Sequence, residues 1–472
     1  MAKPVHRWIL AGLISATSLS VVLGFRLTGA HRLQATRLRV ERRFAENFHS
    51  GSDPAEANPP AAGWTLALTA LSRDLPSTFT QLDSLNAGRE DQAPSTWRRF
   101  QEPAARRNDE ESGWTSFTAQ WRELKPSIHT LQQQLRQPPA PDSTPAPQTL
   151  SPGRAVLVAR AAGWLAASVH QALANDQISE ASDALLDLLR LAARATETED
   201  WRSYQLRLQL GRMFVRTGWQ LLQAPGLTPT TLNELQASFG ILRAVSKLQT
   251  TTIAETVRLV ESLDELRDHP ERTTWTPPME SGYELPLFSL DAESASKLNL
   301  AAWTGLWRDH DAAFCLKSLQ SLAELVVALN SGNSWSSLQP RFTAWDRTVA
   351  RTFRGSVGSR FRLSQLVLPH AETLLTAALE HDAWMDLTEA AIQVYRFWAA
   401  NGTWPATLDQ ATQINPSPSG TAKTHGIRHS IQYTIRNGKP HLSTTVGAKG
   451  FVVASNESHA TARTLVWPTA EP

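Results

Sequence analysis

The spacing of hydrophobic residues changes twice along this chain. An uncharged stretch of eighteen residues runs from Trp8 to Phe25. Between residues 155 and 267, apolar side chains recur every three or four positions, which is the period of a helix with one buried face. From Ile431 the period becomes two, as in a half-buried strand. The pattern predicts a mainly α protein with an N-terminal transmembrane helix, a body that is a helical bundle or array, and a small C-terminal α+β module.

The uncharged stretch is long enough to cross a membrane. At about 1.5 Å per residue its helix would measure about 27 Å, close to the roughly 30 Å thickness of a hydrocarbon core. Its anchoring side chains include Trp8, Leu13, Val22 and Phe25. A cleavable signal peptide is the alternative, because small residues at Thr28–Ala30 fit a signal peptidase site. The apolar cores of cleaved signals are about 7 to 15 residues long, so the length favours a retained anchor.

The charges around this stretch leave its orientation open. Lys3 and Arg7 precede it, whereas six arginines follow it between residues 26 and 43. The positive charge after the helix would place the body in the cytoplasm, although long segments often cross the membrane regardless of charge. The segment from Arg37 to Phe48 could instead lie along the lipid headgroups as a basic helix. We expect a single-pass protein of the cytoplasmic membrane with an extracytoplasmic body.

The body reads as a series of amphipathic helices. Two patterns of helical length, 64–85 and 114–135, are expected to pair. The clearest apolar face consists of Ile178, Ala181, Leu185, Leu188, Leu189 and Ala192. Further helices are predicted at 206–221, 242–260, 292–308, 312–329, 361–380 and 384–400. Helices with a single apolar stripe must bury it against a neighbour, which predicts a bundle or stack.

Composition places the domain boundaries. Residues 1–50 are expected to form the anchor and a basic helical stem, and residues 51–136 a helical hairpin region. Six prolines between residues 137 and 152 exclude a continuous helix and predict an extended linker. Residues 153–383 then form the helical domain, and residues 384–472 form the C-terminal α+β module.

Turn residues organise the C-terminal module. Gly402 suits the left-handed conformation that ends a helix, and Pro405 prevents the helix from resuming. Asn437-Gly438 predicts a type I′ turn between a strand at 431–435 and a strand at 442–446. Segments 451–454 and 464–467 are candidates for additional strands. The module is therefore expected to be a helix packed on a small antiparallel sheet.

The last helix and the turn after it carry a short motif. Ala390–Arg396, followed by Asn401–Leu408, resembles the helix ending in Tyr-Arg and the Gly-x-aromatic-Pro-x-x-Leu turn of pseudopilin-like proteins of the type II secretion protein G kind. The motif also resembles the C-terminal part of uncharacterised, membrane-anchored helical proteins of planctomycetes and verrucomicrobia. The resemblance implies no catalytic residues. It implies a pilin-like module with six structural positions: Tyr395, Arg396, Gly402, Trp404, Pro405 and Leu408.

Charge and cysteine content exclude several classes of function. The net charge is +2, but residues 1–50 carry +6 and the remainder −4, so the basic character belongs to the stem. Nucleic acid is therefore not an expected partner. Cys315 is the only cysteine, which excludes an internal disulfide and a cysteine-cluster metal site, and it reads as a core residue. No phosphate-binding or dinucleotide fingerprint is present, so we expect neither nucleotide nor cofactor.

Three clusters of polar residues could form binding or catalytic sites, but each has a simpler structural interpretation. His370, Glu372, His381 and Asp382 could share a helical face, but their spacing is wider than that of usual zinc ligands, so capping and surface pairing are favoured over a metal. Asp309–Asp311 reads as surface polarity, because adjacent helical residues point in different directions. The third cluster consists of Arg351, Arg354, Arg360 and Arg362. These residues could bind an anionic headgroup or glycan, but a run of charges is more often part of a solvated loop.

Two functional hypotheses remain. The preferred one is a membrane-tethered, non-enzymatic envelope protein that contacts the lipid bilayer and an envelope or secretion-apparatus protein. The alternative is an envelope hydrolase with a carboxylate site in a groove of the helical domain, built from residues such as Glu255, Glu261 and Glu372. The absence of a catalytic motif favours the first.

Overall fold

A computed structural model describes most of the helical body. The described residues are 3–44, 63–74, 114–137, 151–222, 224, 226–268, 303–331, 335–353, 361–369, 371–413, 431–436, 439–446 and 463–466. In the first range the side chains are described from residue 20 onward. Secondary structure in these ranges is mainly helical, as the hydrophobic spacing predicts.

Thirteen α-helices lie in the described ranges. They are α1 (Lys3–Arg43), α2 (Gly63–Asp74), α3 (Trp114–Arg136), α4 (Pro152–Ala174), α5 (Ile178–Ala195), α6 (Trp201–Leu222), α7 (Pro229–Ser238), α8 (Ala244–Asp268), α9 (Arg308–Asn330), α10 (Trp335–Phe353), α11 (Arg362–Val367), α12 (Ala371–Asn401) and α13 (Leu408–Gln413). A 3₁₀ turn (Phe239–Leu242) precedes α8, and a π-turn (Trp303–Trp307) precedes α9. The strands are β1 (Ile431–Arg436), β2 (Lys439–Val446) and β3 (Arg463–Val466).

The chain forms two compact units, each assembled from separate parts of the sequence. Unit 1 comprises Met1–Gly51, Thr252–Leu329 and Asn333–Leu374. Unit 2 comprises Ser52–Thr251, Asn330–Gly332 and Leu375–Pro472.

Helix α1 is one rod in unit 1. Its 41 residues extend about 62 Å, and they include both the uncharged stretch and the basic residues that follow. Beyond Phe25, Gly29 packs against His310, and Val40 and Phe44 on the same face of α1 are buried. Arg37 and its neighbours continue the same helix. The predicted basic helix is thus helical as far as Arg43, as a continuation of α1, and residues 45–48 lie outside the described residues.

The core of unit 2 is a bundle in which α4, α5 and α6 pack on one another. On α5 the predicted apolar face is confirmed, because Leu185, Leu188 and Ala192 have no exposed surface. Helices α2 and α3 pair as predicted, and they pack on α4. Trp164 and Phe214, both fully buried, fill the centre of the bundle. The amphipathic stripes thus bury one another, as one-sided helices must.

The C-terminal sheet is antiparallel with strand order β1-β2-β3. The β1–β2 register pairs Ile431 with Thr444 and Arg436 with Lys439, as expected for strands joined by a two-residue turn. The predicted turn residues 437 and 438, and the candidate strand 451–454, lie outside the described residues. The candidate strand at 464–467 is confirmed as β3.

Two predicted helix boundaries near the C-terminus are wrong. The sequence pattern suggests one helix at 361–380 and another from Trp384, whereas α11 ends at Val367 and α12 runs unbroken from Ala371 to Asn401. Pro369 explains the break, because the residue before a proline is disfavoured in the helical conformation. Leu368 is accordingly extended, with ψ 120°. Helix α10 was not predicted at all.

Among the described side chains, one helical segment is long and apolar enough to cross a membrane. It is Trp303–Asn330, with a mean hydropathy of 1.5, and not the N-terminal stretch that the sequence pattern indicates. The core helix of a soluble unit passes the same test, and 61% of the apolar window is buried within the protein. The fully buried Leu316 and Leu319 fit a core helix. The side chains of residues 1–19 in the predicted anchor lie outside the described set.

The close approach of α1 to the start of α9 gives a stability prediction. A Cβ at Gly29 would lie 2.7 Å from Cδ2 of His310, whereas a Cβ at Gly24 on the same helix meets nothing within 4 Å. We expect Gly29→Ala to destabilise unit 1 by about 1 to 3 kcal/mol through overpacking. Gly24→Ala is the matched control and should be neutral or slightly stabilising. Thermal unfolding in detergent measures both, and equal midpoints for the two variants would contradict the packing.

Candidate functional site

The predicted anchor residues fall into two groups in the structure. Trp8 and Leu13 belong to the helical backbone of α1, and their side chains lie outside the described set. Val22 is 39% exposed. Phe25 is half-buried, and its ring lies 4.8 Å from the ring of Trp307 between centroids. The last residue of the uncharged stretch, Phe25, is therefore also a point where α1 contacts the rest of unit 1.

The pilin-like motif residues meet at the end of α12 and have structural roles. Gly402 has φ +69°, and its N–H donates to the carbonyl of Trp398 at 2.8 Å, which closes the helix as predicted. Trp404 packs edge-on against Tyr395, with ring centroids 5.5 Å apart. The Pro405 carbonyl accepts a 2.7 Å hydrogen bond from the hydroxyl of Tyr433 on β1.

The two remaining motif residues also contact other parts of unit 2. Arg396 donates a hydrogen bond to the side chain of Gln236 on α7. Leu408 is half-buried and packs against the small cluster of Val394, Phe397 and Ala411. The six positions thus join α12, α13 and β1 into one module.

Asp382 caps a helix from a distance. Its carboxylate accepts hydrogen bonds from the backbone N–H groups of Ala244 at 2.7 Å and Val245 at 3.1 Å. These groups open α8, where the preceding residue, Arg243, has no acceptor atom in its side chain. A carboxylate at a helix N-terminus is favoured both by hydrogen bonding and by the helix dipole. The capping interpretation of Asp382 is confirmed, although the residue is buried and not at the surface.

His381 lies beside this cap with no exposed surface. Its Nε2 lies 2.9 Å from the Leu242 carbonyl, which can only accept, so Nε2 carries a proton. Burial lowers the pKa of His381, which favours the neutral ring with a lone pair on Nδ1. The ring packs closely against α6. A Cβ added at Gly211 on that helix would lie 2.1 Å from Cε1 of His381.

Arg243 connects α6, α8 and α12 in unit 2. Its guanidinium lies 2.5 Å from Asp386 and 3.2 Å from Glu389 on α12. Its backbone carbonyl accepts a 3.3 Å hydrogen bond from Arg207 on α6. We call Arg207, Arg243, His381, Asp382 and Asp386 the buried junction, because they hold α6 and α12 at the start of α8.

Asp311 is the corresponding residue of unit 1. It is fully buried and accepts hydrogen bonds from the N–H groups of Leu363 at 2.7 Å and Ser364 at 3.1 Å. The indole N–H of Trp303 donates to the same carboxylate at 2.9 Å. Phe361, at the N-cap of α11, supplies no side-chain cap, so Asp311 replaces it. Burial raises the pKa of Asp311 from 3.8 to about 6, even though these donors lower it.

The interpretation of Asp309–Asp311 as surface polarity is therefore wrong for two of its residues. Only Asp309 pairs locally, with Arg308 at 3.1 Å. The His310 Nε2 lies 3.0 Å from the Phe25 carbonyl on α1. Helical residues one position apart do point in different directions: His310 meets α1 and Asp311 meets α11, whereas Asp309 stays with its own helix.

The remaining predicted sites are only partly described. Cys315 is fully buried, which confirms it as a core residue. Glu255 is buried and pairs with Arg258 at 3.0 Å, whereas Glu261 is exposed. His370 and the side chain of Glu372 lie outside the described residues. In the arginine cluster, Arg351 is exposed, and the side chains of the other three members, Arg354, Arg360 and Arg362, also lie outside the described set.

These hydrogen-bonded side chains can stabilise the fold, but they are poorly placed to act as catalytic groups. A general base must reach the proton that it removes, whereas His381 has no exposed surface and both Asp382 oxygens hold backbone N–H groups. Within the described ranges no group of three His, Cys, Asp or Glu residues is placed to hold a metal ion. No local pattern signals the close approach at Gly211, because the approach depends on His381, a residue 170 positions away.

Substitution of Gly211 tests the packing of the buried junction. We expect Gly211→Ala to destabilise the protein by about 1 to 3 kcal/mol, because the new methyl group collides with a buried ring. Gly218→Ala on the same helix is the control, since its Cβ would meet Leu185 at an ordinary 3.6 Å. Unfolding midpoints in denaturant compare the two variants. A tolerated Gly211→Ala would mean that His381 does not occupy this position in solution.

The buried Asp311 predicts a pH dependence. Because its folded pKa is raised from 3.8 to about 6, its protonation favours folding below about pH 4, and this contribution is lost as the pH rises to 6. We expect the stability of the wild type relative to Asp311→Asn to fall over this window, by up to about 3 kcal/mol. Unfolding free energies of both proteins from pH 4 to pH 7 measure it. A stability difference that grows with pH would contradict the assignment.

No family model, no curated protein and no solved structure matches this chain. The resemblance of residues 390–408 to pseudopilin-like proteins therefore stays a prediction.

Proposed function

We propose that this chain is a membrane-tethered envelope protein that binds another protein and performs no catalysis. The observation that carries the proposal is the exposed surface of α1 near residue 25. Val21, Leu23 and Leu27 are 66%, 57% and 63% exposed on a helix that continues from the uncharged stretch. Apolar surface of this kind is unfavourable in water and favourable in lipid.

The packing of α1 supports a retained anchor over a cleaved signal. The small residues that fit a signal peptidase site, Thr28–Ala30, lie within the helix. Gly29 among them is buried against His310. Proteases prefer exposed, poorly ordered segments, and a packed helix offers neither property. This packing supports the retention of the whole of α1 in the mature protein. We propose that it makes a single pass through the cytoplasmic membrane with the body outside the cytoplasm.

The use of the buried polar groups supports a non-enzymatic role. Asp311 and Asp382 are occupied by backbone N–H groups, and Glu255 is occupied by Arg258. The hydrolase alternative needs two facing carboxylates in an open groove. The two described candidates on α8 do not form such a pair, since Glu255 is buried and Glu261 is exposed. A scaffold that presents a binding surface fits these observations better.

The end of α12 offers a surface for a protein partner. Trp398 is 44% exposed and stacks on Trp404 at 5.3 Å between ring centroids. On the neighbouring sheet Ile435 is 46% exposed. Exposed aromatic residues are enriched at protein interfaces and often contribute much of the binding energy. Together with the pseudopilin-like motif in this module, they favour an envelope or secretion-apparatus protein as the partner.

Variants of this surface test the proposal in the full-length protein. The chain should stay with membranes through an alkaline wash and, after mild detergent extraction, co-purify with an envelope protein. We expect Trp398→Ser and Ile435→Ser each to lower the recovery of that partner by about fivefold or more, the loss expected for an interface anchor. The unfolding midpoint should change little, because both side chains are partly exposed.

The matched controls are exposed neighbours of the two residues. Ala399→Ser follows Trp398 on α12, and Gln432→Ser lies on β1 with Ile435. Both should leave partner recovery unchanged. A chain that the alkaline wash releases would refute the tether, and a chain that remains without a partner after crosslinking would refute the binding role.

A further inference from the structure

A second element of unit 1 lies at the level where α1 would leave the membrane. Phe25 is the last residue of the uncharged stretch, and Arg26 follows it directly. In a membrane-spanning helix this change from apolar to charged residues marks the boundary between hydrocarbon and headgroups. Whatever contacts Phe25 therefore lies close to that boundary.

The π-turn makes this contact. The Trp307 ring lies 4.8 Å from the Phe25 ring at an angle of 69°, and the His310 ring lies 4.1 Å away on another side. The 3.0 Å contact from His310 Nε2 to the Phe25 carbonyl fixes the same point. A bilayer's polar layers add about 5 to 8 Å on each side of the hydrocarbon core. The ring of Trp307 is thus within one such layer of the boundary.

The composition and exposure of the π-turn fit that layer. Residues 304–307 are half-exposed, and they include Leu306 and Trp307. Among the described residues, a Cβ added at Gly305 would meet nothing within 4 Å, so the middle of the turn has room for a substituent. Tryptophan is enriched at membrane interfaces, because its ring is apolar and its N–H is polar. Val21, four residues before Phe25 and therefore on the same face of α1, is 66% exposed and extends this apolar surface towards the lipid.

We propose that the π-turn Trp303–Trp307 is a second membrane contact, which lies in the interfacial layer of the bilayer beside α1, with Trp307 as its anchoring side chain. The proposal rests on the tether proposed above, because the depth of the turn is set by Phe25. We assign the lipid interface as the partner of the π-turn, since the turn lies beside an apolar helix surface that ends in basic residues. Two contacts, one on α1 and one on the π-turn, would fix the tilt of unit 1 against the membrane.

Site-specific labels measure the depth of the turn in the full-length protein. Gly305→Cys places a fluorophore on the turn, and Gly24→Cys places one on α1, where an added Cβ also meets nothing within 4 Å. Leu38→Cys, at a 46% exposed residue of α1, lies about 20 Å further along the same helix than Phe25. Wild-type protein serves as the labelling blank, because its single cysteine, Cys315, is fully buried. The proteins are reconstituted into phosphatidylcholine–phosphatidylglycerol vesicles that carry a nitroxide on the headgroup or deep in the acyl chain.

The inference predicts a defined order of quenching. The label at Gly305 should be quenched by the headgroup nitroxide at least about twofold more than the label at Leu38, which lies beyond the interfacial layer. The label at Gly24, one residue from Phe25 at the boundary, should be quenched by the headgroup nitroxide at least as strongly as the label at Gly305. Leu306→Cys provides a second position on the turn, and it should follow Gly305→Cys.

Each other outcome overturns a distinct statement. If the label at Gly24 is immersed but those at Gly305 and Leu306 behave like the label at Leu38, the second contact is wrong and the tether stands. Labels on the turn that are shielded from both nitroxides and become accessible on dilution would assign this surface to a second copy of the chain. If the label at Gly24 is not quenched by lipid, both the tether and the second contact fail.

Discussion

Both units depend on carboxylates that satisfy the first N–H groups of a helix from another helix. Asp382 does this for α8 and Asp311 for α11, and Asp346 on α10 accepts from the Ala371 N–H at the start of α12 at 3.1 Å. A helix start leaves several N–H groups without partners, and burying them unpaired would cost roughly 1 to 3 kcal/mol each. These acidic residues therefore set where the helices begin and which neighbours they contact. The same role removes them from catalysis, because their oxygens are already occupied.

The second constraint is the absence of a hinge in the described part of the N-terminal helix. Helix α1 passes from the uncharged stretch into unit 1 as one rod, and it is packed there through Phe25 and Gly29 against Trp307 and His310. A protein that only needed to stay near the membrane could use a flexible linker, whose reach is long and whose orientation is free. The packed rod instead fixes the orientation of unit 1 relative to α1.

Local signals in the sequence predicted local structure well. The apolar face of α5, the end of α12 at Gly402 and the β1–β2 register each follow from residues within a few positions of one another. Features that depend on distant residues were missed or misread. Asp311 reads as a surface residue until α11 is placed against it, and Gly211 is an ordinary helical glycine until His381 packs on it. Single-sequence patterns carry periodicity and turn chemistry, but they do not reveal which helix supplies a cap to which neighbour.

In the proposed arrangement, in which α1 spans the membrane, the packing of α1 on unit 1 makes the orientation of unit 1 depend on the thickness of the bilayer. A transmembrane helix whose apolar length exceeds the local hydrocarbon thickness adjusts by tilting. In a protein with a loose stem that adjustment would be absorbed before it reached the folded part. Here the contact of Phe25 and Gly29 with Trp307 and His310 transmits it, so thinning of the bilayer would rotate unit 1 through the same angle as the rod.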